Sequence, residues 1–271
     1  MTPMSRSRPA KPLLVEEPVR RTEAGPWTIE LLPACGYEAR YTATESSIGF
    51  AFDSQRGTHA IGTDRIRPFD AVPNSLAFVP AGCDVFSRSA QGGEYLLLRR
   101  NDGMLDVGDQ PLNNVIDSKA IAMAQQMRQT LLSPRAQSAS VDWEGWSHAL
   151  AERLRVGEKT PALNKSSLTG KRLRLLDEFI DAQLDGPLSV QAMAQLLALS
   201  EGYFMRAFAQ ATGKTPHSYL IDRRLARARH LLRSTGATLA AIAQACGFAS
   251  QAHMATTFKQ RLGVSPVQLR R

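Results

Sequence analysis

Ser250-Gln-Ala-His-Met254-Ala-Thr-Thr-Phe258-Lys-Gln-Arg-Leu-Gly263-Val-Ser-Pro266 decides the fold of this chain, because its skeleton occurs once before. The earlier copy is Ser200-Glu-Gly-Tyr-Phe204-Met-Arg-Ala-Phe208-Ala-Gln-Ala-Thr-Gly213-Lys-Thr-Pro216. In both copies 8 positions separate Ser from Phe, 5 separate Phe from Gly and 3 separate Gly from Pro, at an offset of 50. A shorter amphipathic run precedes each copy. Ser189 opens the first, to Leu197; Thr238 opens the second, to Cys246, followed by the turn Gly247-Phe248-Ala249 with one extra residue. Each unit reads as helix, tight turn, helix.

The residue types fit that reading. Ser200 and Ser250 stand where a side-chain oxygen can accept from the orphan amides of the second helix. Pro216 and Pro266 suit the first turn of a further helix. Apolar residues at helical spacing hold each unit together and leave one face of the second helix free. A helix presented this way can enter a DNA major groove. Between the units, residues 216–234 read as one helix of about 28 Å at 1.5 Å per residue. It is long enough to hold two reading helices about one DNA turn apart.

Charge follows the duplication. Residues 169–271 carry 14 Lys/Arg against 6 Asp/Glu, which is the whole of the chain's net charge of +8. The rest of the chain is neutral overall. A neutral part joined to a basic part points to a sensor and a polyanion-binding module. The acidic residues Asp177, Glu178, Asp181 and Asp185 on the helix before the first unit are expected to point away from DNA.

Upstream, the pattern is β-rich. Residues 27–32, 48–52, 76–79 and 95–98 are apolar or aromatic runs separated by Gly, Pro, Asn and Asp. Short strands with such turns imply a small sandwich or barrel. From about residue 112 to 156 the spacing becomes helical, with Ile121 to Met127 on one helix and Trp143, Trp146, Leu150 and Leu154 on another. These helices pack on the β part or form a dimer seam; the spacing leaves both open. The domain reading is a flexible tail at 1–21, a sensor and dimerisation domain at 22–156, a polar linker at 157–169 and a DNA-binding domain at 170–271. Three sparse cysteines without a CxxC, no signal peptide and no membrane-length apolar run set the expectation of a cytoplasmic protein.

Three stretches carry a family resemblance. They are Ile242-Ala243-x-x-x-Gly247-Phe248-x-Ser250, Phe258-Lys259-x-x-x-Gly263-x-x-Pro266-x-x-x-Arg270 and Arg224-Leu225-x-x-Ala228-x-x-Leu231-Leu232. Over about residues 168–271 the chain resembles the AraC/XylS family of bacterial transcription regulators. A weaker match, Phe78-Val-Pro80-Ala81-Gly82 leading to Tyr95-Leu-Leu-Leu98, resembles the end of the cupin-like barrel found in that family. The resemblance implies an α+β two-domain chain. An N-terminal cupin-like β-barrel with trailing helices precedes a C-terminal all-α domain with two helix-turn-helix motifs. It also implies double-stranded DNA and RNA polymerase as partners, a homodimer, activation rather than repression, and a small organic effector.

Site residues follow. Met205 and Arg206 of the first reading helix match DNA-facing positions, and a guanidinium can bond guanine bidentately. Gly202 stands at a third such position and brings no side chain. In the second reading helix the chain departs from the family: Thr256 replaces a commonly basic residue, which is expected to weaken base reading or to move it to Gln251 and Thr256. Arg224, Lys259 and Arg261 are assigned to phosphates, and His253 to packing or a phosphate. Ser200, Gly247 and Ser250 are the cap and turn positions. Trp27, Tyr37, Phe50, Phe52, Phe78 and Phe86 are the candidate lining of an effector pocket, each also readable as core. The scarcity of charge in the strands favours an apolar or aromatic effector.

No metal, cofactor or catalytic residue is implied. A cupin metal site needs about three histidines and a carboxylate. The chain has five histidines, and only His59 lies in the β region. No GxSxG, P-loop or dinucleotide fingerprint occurs. Two further readings stay open: a cupin-type enzyme or binding protein with an autoregulatory DNA-binding domain, and a ligand-independent regulator.

Overall fold

The computed structural model describes residues 19–103, 105, 107–133, 141–159 and 168–270. The chain divides into two compact units, residues 1–127 with 140–161, and residues 128–139 with 162–271. The expected tail lies outside the described residues up to residue 18, and its end, Arg20-Arg21, already belongs to a strand. Most of the expected linker, 160–167, also lies outside them.

In the first unit the strands are β1 (Arg20–Ala24), β2 (Trp27–Leu32), β3 (Tyr37–Thr42), β4 (Ser47–Ala51), β5 (Gln55–Ile61), β6 (Arg67–Ala71), β7 (Ser75–Val79), β8 (Asp84–Ser89), β9 (Tyr95–Arg100) and β10 (Leu112–Val115). The helices α1 (Ser118–Leu132), whose residues 128–132 count with the second unit, and α2 (Trp143–Lys159) follow. The closed barrel expected from the sequence is not what forms. The strands make two open antiparallel sheets, a six-stranded one ordered β1-β2-β9-β4-β7-β10 and a four-stranded one ordered β3-β8-β5-β6. No ladder joins an edge of one to an edge of the other among the described residues. Edge chemistry accounts for this. β1 carries Arg20, Arg21 and Glu23, β6 carries Arg67 and Pro68, and the β10 pairing is broken by a register shift beside Asn114, whose φ is 58°. Charge, proline and irregular backbone all discourage further strand pairing.

Register builds the core of the larger sheet. Ile29, Leu98, Ile48 and Phe78 stand side by side on β2, β9, β4 and β7, and Leu31, Leu96, Phe50 and Leu76 form the adjacent row. All eight are buried, most of them completely. Each such side chain stabilises the fold by about 1.5–3 kcal/mol. Trp27 continues this face and meets the His148 ring of α2, with centroids 5.4 Å apart. The helix after the sheet thus packs on it at this point. The opposite face holds Tyr95, whose ring crosses Gly49; a Cβ there would lie 1.7 Å from the Tyr95 hydroxyl.

The second unit is all helical: α3 (Gly170–Ala182), α4 (Val190–Leu196), α5 (Glu201–Thr212), α6 (Pro216–Ser234), α7 (Leu239–Ala245), α8 (Gln251–Leu262) and α9 (Pro266–Arg270). The starts follow from side-chain caps. Thr169, Ser189, Thr215, Thr238 and Ser250 each accept from an amide three residues on, and Pro216 occupies the first turn of α6. α5 and α8 stop at Gly213 and Gly263, at φ 69° and 73°, where a left-handed residue closes the helix. Leu176, Ile180, Met193, Phe204, Phe208 and Tyr219 form a buried cluster that joins α3, α4, α5 and α6.

Candidate nucleic-acid interface and effector face

The two repeats become two helix-turn-helix units, α4–α5 and α7–α8. α4 ends with a bond from Leu199 N–H to Ala194 O (3.0 Å), and α7 with the equivalent bond from Phe248 N–H to Ala243 O (2.9 Å). These bonds span a residue with positive φ, Ala198 at 54° and Gly247 at 72°. The glycine was legible in the sequence. Ala198 was not, because alanine carries no signal of a left-handed turn; only its place in the repeat could have revealed it.

Burial sorts the reading helices into two faces. On α5, Phe204, Ala207 and Phe208 are buried, while Glu201, Gly202, Tyr203, Met205, Arg206 and Gln210 are exposed. On α8, Met254, Thr257 and Phe258 are buried, while Gln251, Ala252, His253, Thr256, Lys259 and Gln260 are exposed. All four residues assigned to base reading, Met205, Arg206, Gln251 and Thr256, therefore lie on the outer faces. Met205 and Tyr203 are large apolar side chains left 39% and 44% open, which makes the α5 surface the more apolar of the two. Ser250 caps α8 through His253 N–H at 3.0 Å, whereas the Ser200 side chain makes no capping bond. His253 sits edge-on to Phe248, with centroids 5.6 Å apart.

The basic residues divide more sharply than a charge count allows. Lys259 and Arg227 are exposed. Arg223 is paired with Asp181 of α3, and Arg229 is 3% exposed. Arg261 donates to Ser218 Oγ at 3.1 Å and lies 3.9 Å from Asp222, which also pairs with Lys214. Arg224 turns inward: its Nε donates to Leu184 O (3.1 Å) and its Nη2 to Gly186 O (2.8 Å). Part of the acidic face of α3 is likewise spent on α6. Asp177 accepts from the Tyr219 hydroxyl, and Asp181 binds Arg223.

In the first unit, the six residues considered for a pocket go to different places. Trp27, Phe50 and Phe78 lie on the fully buried face of the large sheet, with Phe52 5.0 Å from Phe50. Phe86 lies under the Arg40 guanidinium at 5.0 Å. Tyr37 and Tyr41, on the smaller sheet, lie near Tyr95 of the larger one. The Tyr37 hydroxyl is bonded to Ser87 at 3.1 Å. His59, opposite Ser87 in the register, stacks on Phe69 with centroids 5.0 Å apart. Tyr37, His59, Phe69, Ser87 and Tyr95 are half-buried and Tyr41 is exposed, unlike the closed Phe50 face. Burial, then the neighbouring Tyr37 and Tyr41, holds the Tyr95 hydroxyl well above its ordinary pKa; burial pushes His59 down. The sequence did not single out Tyr41, His59, Phe69 or Ser87 for this face, because their strands are polar and alternate weakly. Among the described residues no group of three or more His, Cys, Asp or Glu is arranged to hold a metal ion. No described helix is long and apolar enough to cross a membrane.

Residues 193–271 match the model of a family described as a helix-turn-helix domain. Over 115 residues the chain is 38% identical to the HTH-type transcriptional activator RhaS of Escherichia fergusonii, covering 40% of this chain and 41% of that protein. Over 94 residues it is 32% identical to the probable transcriptional regulator LumQ of Photobacterium leiognathi, covering 35% of this chain and 38% of that one. Among solved structures it resembles a transcriptional regulator with an AraC-type DNA-binding domain from Chromobacterium violaceum. The identity there is 31%, with 37% of this chain and 89% of that chain covered, at a TM-score of 0.36. The chain thus spans about two-fifths of the length of the curated relatives it matches. Its C-terminal unit matches a helix-turn-helix family and is similar in sequence to part of these transcriptional regulators.

Proposed function

We propose that the whole chain is a sequence-specific DNA-binding regulator of transcription. Residues 170–271 bind double-stranded DNA, and residues 22–156 act as a sensor and dimerisation part. The observation that carries the reading is the pair of outward faces on α5 and α8, built to one pattern and joined by α6. Arg206 and Met205 read bases through α5, and Gln251 and Thr256 read them more softly through α8. Lys259 and Arg227, both exposed, meet phosphates. Activation through RNA polymerase, a homodimer and a cytoplasmic location belong to the same proposal, which the named activator among the relatives supports.

The effector is a small aromatic compound with hydrogen-bonding groups, taken up between the sheets beside Tyr37, Tyr41, His59, Ser87 and Tyr95. These phenols, imidazole and hydroxyl, half-buried except for the exposed Tyr41, support that assignment. Selection from random duplexes with the full chain, followed by footprinting, tests the DNA reading. The expected motif has two subsites about 10 base pairs apart, one per reading helix. Diffuse, salt-labile binding without a motif would refute it.

A further inference from the structure

The geometry points to Arg224 as a positioning residue that locks the two helix-turn-helix units in one mutual register, and not as a phosphate contact. The inference rests on the DNA-binding reading above. It starts from where the guanidinium goes. Arg224 stands in the middle of α6, the helix between the repeats. Its Nε and Nη2 donate to the carbonyls of Leu184 and Gly186, in the turn that leads from α3 into the first unit. The same guanidinium packs against Gly247, the turn residue of the second unit: a Cβ there would lie 2.8 Å from Nη2 and 2.2 Å from the Leu184 oxygen. Three segments from both repeats therefore meet around one planar cation.

The chemistry suits a rigid joint. A guanidinium presents its donors in a fixed fork, so two bonds set an orientation where one would set only a distance. The left-handed glycine lets the second turn come against that fork without a side chain between them. Both donors are directed into the protein, leaving a half-buried group committed to its carbonyls. What such a joint controls is the spacing and phase of α5 against α8, the quantity that must match successive major grooves.

The test uses the full chain, Arg224→Met and Arg224→Lys, on duplexes carrying both selected subsites at the natural spacing or with about 5 base pairs inserted, half a turn of DNA. The wild type should lose at least about 10-fold in affinity on the half-turn insertion, because a rigid pair cannot follow it. Arg224→Met should bind the natural spacing more weakly and lose less than about 3-fold on the insertion, since each unit is then free to find its own subsite. Arg224→Lys, with one head group for two carbonyls, should fall between them. An independent readout needs no DNA: nitroxide labels on non-cysteine anchors at Gln210 and Gln260, both exposed, should give a narrow distance distribution that broadens in Arg224→Met.

An unchanged spacing profile and distance distribution would overturn the joint. Equal weakening at every spacing, with a salt slope reduced by about 1, would also overturn it, by making Arg224 the phosphate contact. If the wild type selects no motif at all, the DNA-reading proposal fails first, and this one with it.

Discussion

Exchanging the turn residues between the two repeats offers a test with opposite signs on the two sides. Ala198 and Gly247 occupy the same place, each 9 residues after its cap, Ser189 or Thr238. Both are left-handed, at φ 54° and 72°. An L residue there costs roughly 1–2 kcal/mol, while replacing glycine recovers about 0.4–1 kcal/mol from the unfolded chain. At 247 the added Cβ also lands 2.2 Å from the Leu184 oxygen, a backbone atom with no rotamer to escape into. The turn must shift, weakening the Arg224 bonds at about 1 kcal/mol each. Gly247→Ala should therefore destabilise by roughly 2–4 kcal/mol. Ala198 is exposed and loses no packing when trimmed. Ala198→Gly should stabilise by roughly 0.5–1 kcal/mol.

At roughly 4–8 °C per kcal/mol for a domain near 100 residues, the first change lowers the melting temperature by about 10 °C or more and the second raises it by a few degrees. Thermal unfolding of the full chain, followed by far-ultraviolet circular dichroism, reads both. Gly247→Ala within about 2 °C of the wild type, or Ala198→Gly below it, would refute the account of the turns, since either is smaller than or opposite to the sum above.

Arg206→Ala should cost about 1–3 kcal/mol at one base-pair position and relax specificity there. Lys259→Ala should instead weaken all sequences alike and reduce the salt slope by about 1; competition binding at several salt concentrations separates the two. Gly202→Ala adds a Cβ whose nearest neighbour is the Arg206 head group at 3.8 Å, so it should stabilise α5 by about 0.5–1 kcal/mol. If its affinity for a selected duplex drops in spite of that, DNA approaches the backbone at Gly202; if not, the position lies off the groove. His59, stacked on Phe69, has its pKa lowered by burial below the ordinary 6.5. Folding thus favours the neutral ring: its contribution is complete above 6.5 and lost as pH falls through the folded value. Urea unfolding at a series of pH values should show the first unit weakening below that point, and His59→Gln should flatten the decline.

The strands tell how much of the first unit was legible. The four apolar runs read from the sequence became β2, β4, β7 and β9, the four central neighbours of the large sheet. Their rows of Ile, Leu and Phe needed only alternation to be seen. β3, β5, β6 and β8, with sequences such as YEARYT and DVFSRS, make up the other sheet and gave no such signal. Without them closure could not be judged, and a barrel was expected where two open sheets form. The pocket candidates fall on different faces for a related reason. Size and aromaticity single out Phe50 and Phe78, yet which face of a strand meets the second sheet depends on pairing.

What the sequence by itself determined is local: the two repeats, their caps at Ser189, Thr238 and Ser250, and the extent of α6 at Pro216–Ser234. Helix ends and periodic faces depend on residues three or four apart, so they can be read along the chain. Tertiary structure alone decided the sheet order, which aromatic residues are closed into the core, and where the arginines of α6 point. Arg224 reaches carbonyls 40 and 38 positions away, and Arg223 an acid 42 away. A guanidinium can donate to a phosphate or to a carbonyl oxygen, so only the folded chain, by bringing those carbonyls within reach, turns the charge inward.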